Sequence, residues 1–327
     1  VYKRQAVRRA PLQKDRRKMS MRDLKDTCRV AVVQAEPVMF DKKACLSKAL
    51  SLLKKAAKGG ANLVVFPELF IPGYPYGMNF GFSVGRRTAD GRKDWKRYSD
   101  ASIVVGEEET EVLKEEARKL GVYVSIGISE RDAVNGTLYN SNLLISPDGE
   151  VLTHRKLKPT GSERVVWGDA NEGYFPVMDT PWGPIGCLIC WESYMPLART
   201  ALYQKGITIY ISCNTNDNAE WQHTIRHIAL EGRCFVINCD MLITKDSYPG
   251  DLATAPEKDA VSKGIVCRGG SCVIDPYGHD ISETVWDMER IIYADLDMED
   301  AAAAKMEFDP CGHYARNDVL SLHVDDK

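Results

Sequence analysis

The sequence predicts an α/β protein, in one domain, whose sheet is partly antiparallel. Three observations point there. Short apolar runs read as strands, and several are followed by stretches with helical spacing. Turn residues join some strand candidates directly, which makes those neighbours antiparallel. Beyond about residue 28 there is no internal repeat, low-complexity linker or sharp shift in composition.

The elements follow in chain order. Residues 28–34 form the first strand candidate. From Asp41 to Lys58, apolar residues at Leu46, Ala49, Leu50, Leu53, Ala56 and Ala57 keep helical spacing, and Gly59-Gly60 supplies the stop. Residues 62–66 are continuously apolar after Asn62, as in a strand covered on both faces, and stop at Pro67-Glu68. A helix is predicted over 107–120, with acids at its start and Gly121 at its end. Residues 123–128 give the next strand, and 142–146 with 150–154 give a hairpin around Pro147-Asp148-Gly149. Then come a strand over 186–190, a helix over 194–205, a strand over 207–211, a helix over 221–231 and a strand over 234–238. Residues 271–274, the turn Asp275-Pro276-Tyr277-Gly278 and the segment after it suggest a late hairpin.

Composition narrows the function. Among 327 residues, 44% are hydrophobic and 27% charged, so the chain can bury a sizeable core. A net charge of −3 gives no global field for nucleic acid or an acidic membrane. No apolar run approaches the roughly 18 residues of a membrane span. Residues 1–27 are basic and lack the apolar core of a secretory signal; the Arg-rich start also fits a transit peptide, but a disordered extension is the expectation. Residues 28–327 are expected to form the single domain. The ten cysteines lie scattered in apolar stretches, as buried free thiols do in a cytoplasmic protein.

Three segments place a reactive side chain where an apolar strand ends, a rigid support with an open loop beyond it. In Phe66-Pro67-Glu68-Leu69, a carboxylate directly after apolar residues would have a raised pKa if buried, which suits proton transfer. Taken alone, an ordinary loop acid is the commoner explanation. In His154-Arg155-Lys156-Leu157, a lysine could stabilise developing negative charge, although exposed strand-end lysines are usual. In Ile185-Gly186-Cys187-Leu188-Ile189-Cys190-Trp191-Glu192, a sharp turn from strand to helix would present Cys190 as a nucleophile; a buried structural cysteine is the bland alternative. Cys187-x-x-Cys190 also has a redox or zinc spacing. Zinc needs further ligands, which Cys267 and Cys272 do not supply at the right spacing. None of the six histidines stands in a recognisable thiol-hydrolase or metalloprotease pattern.

Taken together, Phe66-Pro67-Glu68, His154-Arg155-Lys156 and Cys190-Trp191-Glu192 resemble, in that order, the three catalytic motifs of the nitrilase superfamily of carbon–nitrogen hydrolases. The resemblance runs from Arg29 to about Val324. Several further segments are similar to its nitrilase branch: Lys158-Pro159-Thr160, Glu163-Arg164-Val165-Val166-Trp167-Gly168, Met195-Pro196-Leu197-Ala198-Arg199, residues 226–236, and Gly312-His313-Tyr314-Ala315-Arg316. The resemblance implies a four-layer α-β-β-α sandwich that self-associates as a dimer or larger homo-oligomer. It implies Glu68 as base, Lys156 as stabilising cation, Cys190 as nucleophile and Glu163 as a fourth functional carboxylate. The implied reaction is hydrolysis of a small nitrile to an acid and ammonia, with no metal or organic cofactor because the thiol carries the covalent step. Amide, N-carbamoyl or cyanide hydrolysis on the same residues is the alternative. Tyr74, Trp167, Trp191 and Tyr194 are candidate substrate-binding aromatics. Ser193, where family members commonly have Asn or His, and the polar run 214–218 depart from the family pattern and bear on substrate choice. All of this requires that residues 68, 156 and 190 converge around one cavity.

Overall fold

The computed structural model describes residues 24–216, 218–254, 256 and 264–325. Most of the basic extension, residues 1–23, and Asp217 of the polar run lie outside the described residues.

The first half of the chain builds one sheet. Its strands are β1 (Thr27–Gln34), β2 (Leu63–Val65), β3 (Tyr123–Arg131), β4 (Leu138–Ile145) and β5 (Val151–Arg155). The second half builds another from β6 (Val177–Met178), β7 (Ile185–Ile189), β8 (Ile209–Asn214), β9 (Phe235–Asp240), β10 (Leu242–Thr244), β11 (Ile265–Ile274) and β12 (Val285–Trp286). The last strand, β13 (Arg290–Asp297), returns to the first sheet. The orders are β13-β1-β2-β3-β4-β5 and β10-β11-β9-β8-β7-β6, with β12 paired to β11. β1, β2 and β3 run parallel, as do β7, β8 and β9, while the flanking pairs are antiparallel. The mixed pairing read from the sequence is therefore spread over two sheets rather than one.

The helices are α1 (Lys42–Lys58), α2 (Ala89–Ala101), α3 (Glu108–Leu120), α4 (Pro196–Gln204), α5 (Trp221–Gly232) and α6 (Met298–Ala303). Local chemistry sets their ends. The Asp41 side chain accepts the Ala44 amide at the start of α1, and Gly121 adopts a left-handed conformation after α3.

Strand alternation explains the layers. In β1, Val30 and Val32 face a core shared with Ile189, Ile211, Phe235 and Val273 of the second sheet. Their neighbours Ala31 and Val33 face the opposite way, onto Cys45, Ala49 and Leu53 of α1 and Leu113 of α3. In β8, Ile209 and Ile211 point between the sheets, whereas Tyr210 packs with Ala201 and Leu202 of α4 and Ile225 and Ile228 of α5. With both faces buried, a one-residue slip would exchange two apolar sets, so register is set from both sides. The result is helix, sheet, sheet, helix: the four-layer sandwich. No helix among the described residues is long and apolar enough to cross a membrane.

α2 is absent from the sequence reading. Its sequence ADGRKDWKRYSDA is mostly polar, and what it buries includes Gly91, Asp94 and Ser99. Asp94 accepts the amides of Ala253 and Thr254, a distant segment that periodicity cannot reveal. The late hairpin is present: after the Asp275 turn the chain makes a bridge from Asp280 to Ile274 and then β12, antiparallel to β11. β13, which crosses to β1, was not read from the sequence.

Candidate active site

The residues singled out at strand ends meet where those strands stop. Glu68 stands just beyond β2, Lys156 directly after β5, Cys190 directly after β7 and Thr215 directly after β8. The loop carrying Glu68 lies tight against β3: the Gly127 amide donates to the Pro67 carbonyl at 3.1 Å. A Cβ at Gly127 would overlap the Pro67 carbonyl and the Leu69 amide, so only glycine permits this approach.

Glu68 is fully buried. Its Oε1 accepts from the Lys156 ammonium at 2.9 Å and from Asn140 Nδ2 at 2.7 Å, and its Oε2 accepts the Thr215 amide at 3.0 Å. Asn140 is in β4, and its carbonyl accepts the Lys156 amide at 2.8 Å, so one residue fixes both the carboxylate and the lysine backbone. Lys156 also donates to Glu163 Oε2 at 2.9 Å and Oε1 at 3.2 Å. Glu163 is held in turn by the Tyr74 hydroxyl at 2.9 Å and the Thr160 amide at 2.7 Å.

Cys190 has φ 51°, in the left-handed region, where a side chain other than glycine is strained. The chain turns there from β7 into a 3₁₀ segment, Cys190–Tyr194, and then α4. Cys190 is buried within electrostatic reach of Glu68, Lys156 and Glu163. Burial and the neighbouring Glu68 carboxylate push its thiol pKa well up, against the pull of Lys156. The resting sulfur is therefore a protonated thiol that needs a base. Glu68 is shifted upward by burial, with Glu163 adding to the rise and Lys156 opposing it. It is thus a stronger proton acceptor than an ordinary carboxylate. For Lys156 burial works against the charge, but Glu68, Cys190 and Glu163 outweigh it and the pKa rises. The lysine stays a cation.

A second buried carboxylate braces the turn. Glu192 accepts the Ile189 amide at 2.9 Å, the Leu157 amide at 2.9 Å and His154 Nε2 at 2.8 Å. It thereby ties the residue before Cys190 to the residue after Lys156. Burial alone would raise the Glu192 pKa, but His154 and the two amides hold it below the usual carboxylate range. Removing the side chain in Glu192→Ala strands these donors in the interior. We expect a loss of about 3–5 kcal/mol in chemical denaturation. Because the folded-state pKa is depressed, this stabilisation is complete above the unfolded value of about 4.3 and is lost as pH falls through the lower folded-state value. A wild-type denaturation midpoint in Glu192→Ala would show the brace to be idle.

The four aromatic candidates separate into two pairs. The Tyr74 ring lies 5.9 Å from that of Trp167, on the Glu163 side, and Trp167 is buried with its indole donating to Ser129. Trp191 and Tyr194 pack edge-to-face on the outer side of the turn, 53% and 45% exposed. Ser193 accepts the Tyr210 hydroxyl at 2.8 Å, on the side of its sheet that faces α4 and α5. Cys187 lies 3.5 Å from Cys213, a neighbour in β8, rather than beside Cys190. Among the described residues, no cluster of three or more His, Cys, Asp or Glu is arranged to hold a metal ion.

Asn140, Thr215 and the bracing role of Glu192 were not read from the sequence. A buried Asn in an apolar strand is the signal for the first, and the polar run after β8 for the second. The Glu192 contacts carry no local sequence signal, since its partners are two backbone amides and His154, 38 positions away.

The fold is a two-sheet sandwich with a buried Glu–Lys–Cys cluster at its strand ends. The chain belongs to the carbon–nitrogen hydrolase family, which matches residues 29–306. It is 45% identical over 301 residues to an aliphatic nitrilase of Sinorhizobium fredii, covering 91% of this chain and 96% of that one. It is 44% identical over 304 residues to the bifunctional nitrilase/nitrile hydratase NIT4A of Lupinus angustifolius, covering 92% and 86%. The fold matches that of Saccharomyces cerevisiae Nit3, a nitrilase-superfamily member, with a TM-score of 0.69 at 22% identity, covering 91% of this chain and all of that one. Within the family this is a nitrilase-branch enzyme acting on carbon–nitrogen bonds.

Proposed function

We propose that the enzyme hydrolyses an organic nitrile to the carboxylic acid and ammonia, with Cys190 as nucleophile, Glu68 as base, Lys156 as stabilising cation and Glu163 as the carboxylate that positions Lys156. The convergence of these four side chains in one buried cluster is the observation that carries the reading. Oε1 of Glu68 already accepts two donors, whereas Oε2 accepts the Thr215 amide, so Oε2 has room for the thiol proton. Loss of that proton frees the thiolate to attack the nitrile carbon, and Glu68 returns the proton to nitrogen, giving a thioimidate. Lys156, with a backbone N–H near Trp191, stabilises the charge that builds during addition. Water activated by Glu68 adds to the thioimidate, ammonia leaves, and a second water hydrolyses the resulting thioester.

Tyr74 and Trp167 wall the inner end of the substrate in this reading, and Trp191 and Tyr194 its solvent-facing end. Residues 28–327 act as one catalytic domain, with 1–27 as an extension. It works in the cytoplasm as a dimer or larger homo-oligomer, for which the exposed Met195 and Leu197 beside the turn offer apolar surface. The test is ammonia release from aliphatic, aromatic and arylacetonitriles, each beside its matching amide. Nitrile turnover is expected; turnover of amides alone would overturn the assignment.

A further inference from the structure

Two side-chain oxygens flanking Glu68 are buried and have no hydrogen-bond partner among the described residues: Asn140 Oδ1 and Thr215 Oγ1. Each belongs to a residue that already holds Glu68 through another atom. Asn140 donates its Nδ2 to Oε1, and Thr215 donates its backbone amide to Oε2. Buried polar atoms are nearly always satisfied, so an unpartnered pair on either side of a proton-transferring carboxylate calls for a ligand. Both residues are more than nine-tenths buried. An amide oxygen can only accept, and a hydroxyl can accept, so the fitting ligand carries N–H or O–H donors.

The nitrile itself has no such donor. Donors appear on its nitrogen only as the reaction proceeds. We propose that Thr215 Oγ1 and Asn140 Oδ1 form the seat for the departing nitrogen, and that this seat decides whether the enzyme releases acid or amide. The inference rests on the nitrile-hydrolysing reading of the site.

After water adds to the thioimidate, the tetrahedral carbon carries a hydroxyl, an amino group, the Cys190 sulfur and the substrate chain. On one path Glu68 passes the hydroxyl proton to nitrogen. The C–N bond then breaks with its electron pair on nitrogen, C=O forms, ammonia leaves and a thioester remains. On the other path the same proton reaches sulfur. The C–S bond breaks with its pair on sulfur, and the product is the amide with the thiol restored. The two paths differ in which atom becomes cationic or thiolate-like. Acceptors that hold the protonated nitrogen are engaged in the first transition state and not in the second, so they lower one barrier selectively.

Thr215 is the residue to test, because its link to Glu68 is through the backbone and survives side-chain replacement. Thr215→Val keeps the shape and removes the oxygen. We expect its acid-to-amide ratio to fall about tenfold, the worth of one hydrogen bond to a charged group. Thr215→Ser, which restores the hydroxyl, should return the ratio to the wild-type side. If Thr215→Val is poorly folded by thermal melting, Thr215→Ala compared with Thr215→Ser answers the same question. Acid and amide are quantified directly from one nitrile. An unchanged ratio in the hydroxyl-free variants overturns the inference while leaving nitrile hydrolysis intact. Failure of the wild type to consume any nitrile removes the functional reading, and this inference with it.

Discussion

Replacing Cys190 with alanine is expected to abolish ammonia release from nitriles, a loss on the order of 10⁴-fold or more. The size of the effect follows from the proposed chemistry. A nitrile carbon is a poor electrophile, and the reaction is accessible because a sulfur nucleophile splits it into steps joined by covalent intermediates. Lys156 and the turn backbone can polarise the substrate in the variant, but nothing replaces the bond to sulfur. The substitution keeps the Cβ, so the left-handed backbone at this position faces the same steric demand as before. Folding should therefore survive, and a thermal melt separates loss of chemistry from loss of structure. Cys190→Ser should be nearly as inactive, because an alcohol in this buried setting is harder to deprotonate than the thiol. Wild-type-like ammonia release by Cys190→Ala would end the assignment of the nucleophile.

Glu68→Gln should lower kcat by roughly 10²–10⁴-fold, the usual worth of a general base. Here the base is needed repeatedly: to take the thiol proton and to activate each water. The substitution is isosteric, but its geometry is not neutral. A glutamine oxygen can face Lys156 and Asn140, whose donors converge on the Oε1 position, and its amide nitrogen then confronts the Thr215 amide across what was a 3.0 Å hydrogen bond. The Thr215 amide is left without its acceptor, so a modest stability loss of about 1–3 kcal/mol accompanies the kinetic one. The wild-type pH profile carries the matching signature. Glu68 must be ionised to act, and burial shifts its pKa upward. The acidic limb of kcat/KM should therefore lie above the ordinary glutamate value of about 4.3. That limb belongs to the coupled Glu68, Lys156 and Cys190 cluster as a whole. An acid limb at or below the ordinary value, or near-normal turnover by Glu68→Gln, would remove Glu68 from the role of base.

The candidate site was largely legible in the sequence because its members stand at strand ends, where an apolar run gives way abruptly to a reactive side chain. Glu68 after Val64-Val65-Phe66 and Cys190 after Leu188-Ile189 are both of this kind. Lys156 was less distinct, since nothing local distinguishes a buried lysine from the exposed Lys158 two positions on. Its burial exists only because Glu68 and Glu163, 88 and 7 positions away, supply compensating charge. Asn140, Thr215 and Glu192 were missed for a related reason. Their partners lie far away in the chain: Glu68 for Asn140 and Thr215, and His154 and the Leu157 amide for Glu192.

The sequence by itself determined the elements with strong periodicity, such as α1 and α3, the covered strands, the mixed α/β class and the identity of the reactive side chains. Those are consequences of local patterning, since a helix or strand advertises the face it buries within its own residues. Local patterning did not divide the strands into two sheets, although the family resemblance implied that sandwich; only the tertiary structure decided that β13 leaves its late neighbours to pair with β1, and that α2 is a helix despite its polar sequence. Only it decided how the charges pair. Those outcomes depend on contacts between residues far apart in the chain, and a buried charge becomes tolerable only when a distant partner arrives to meet it.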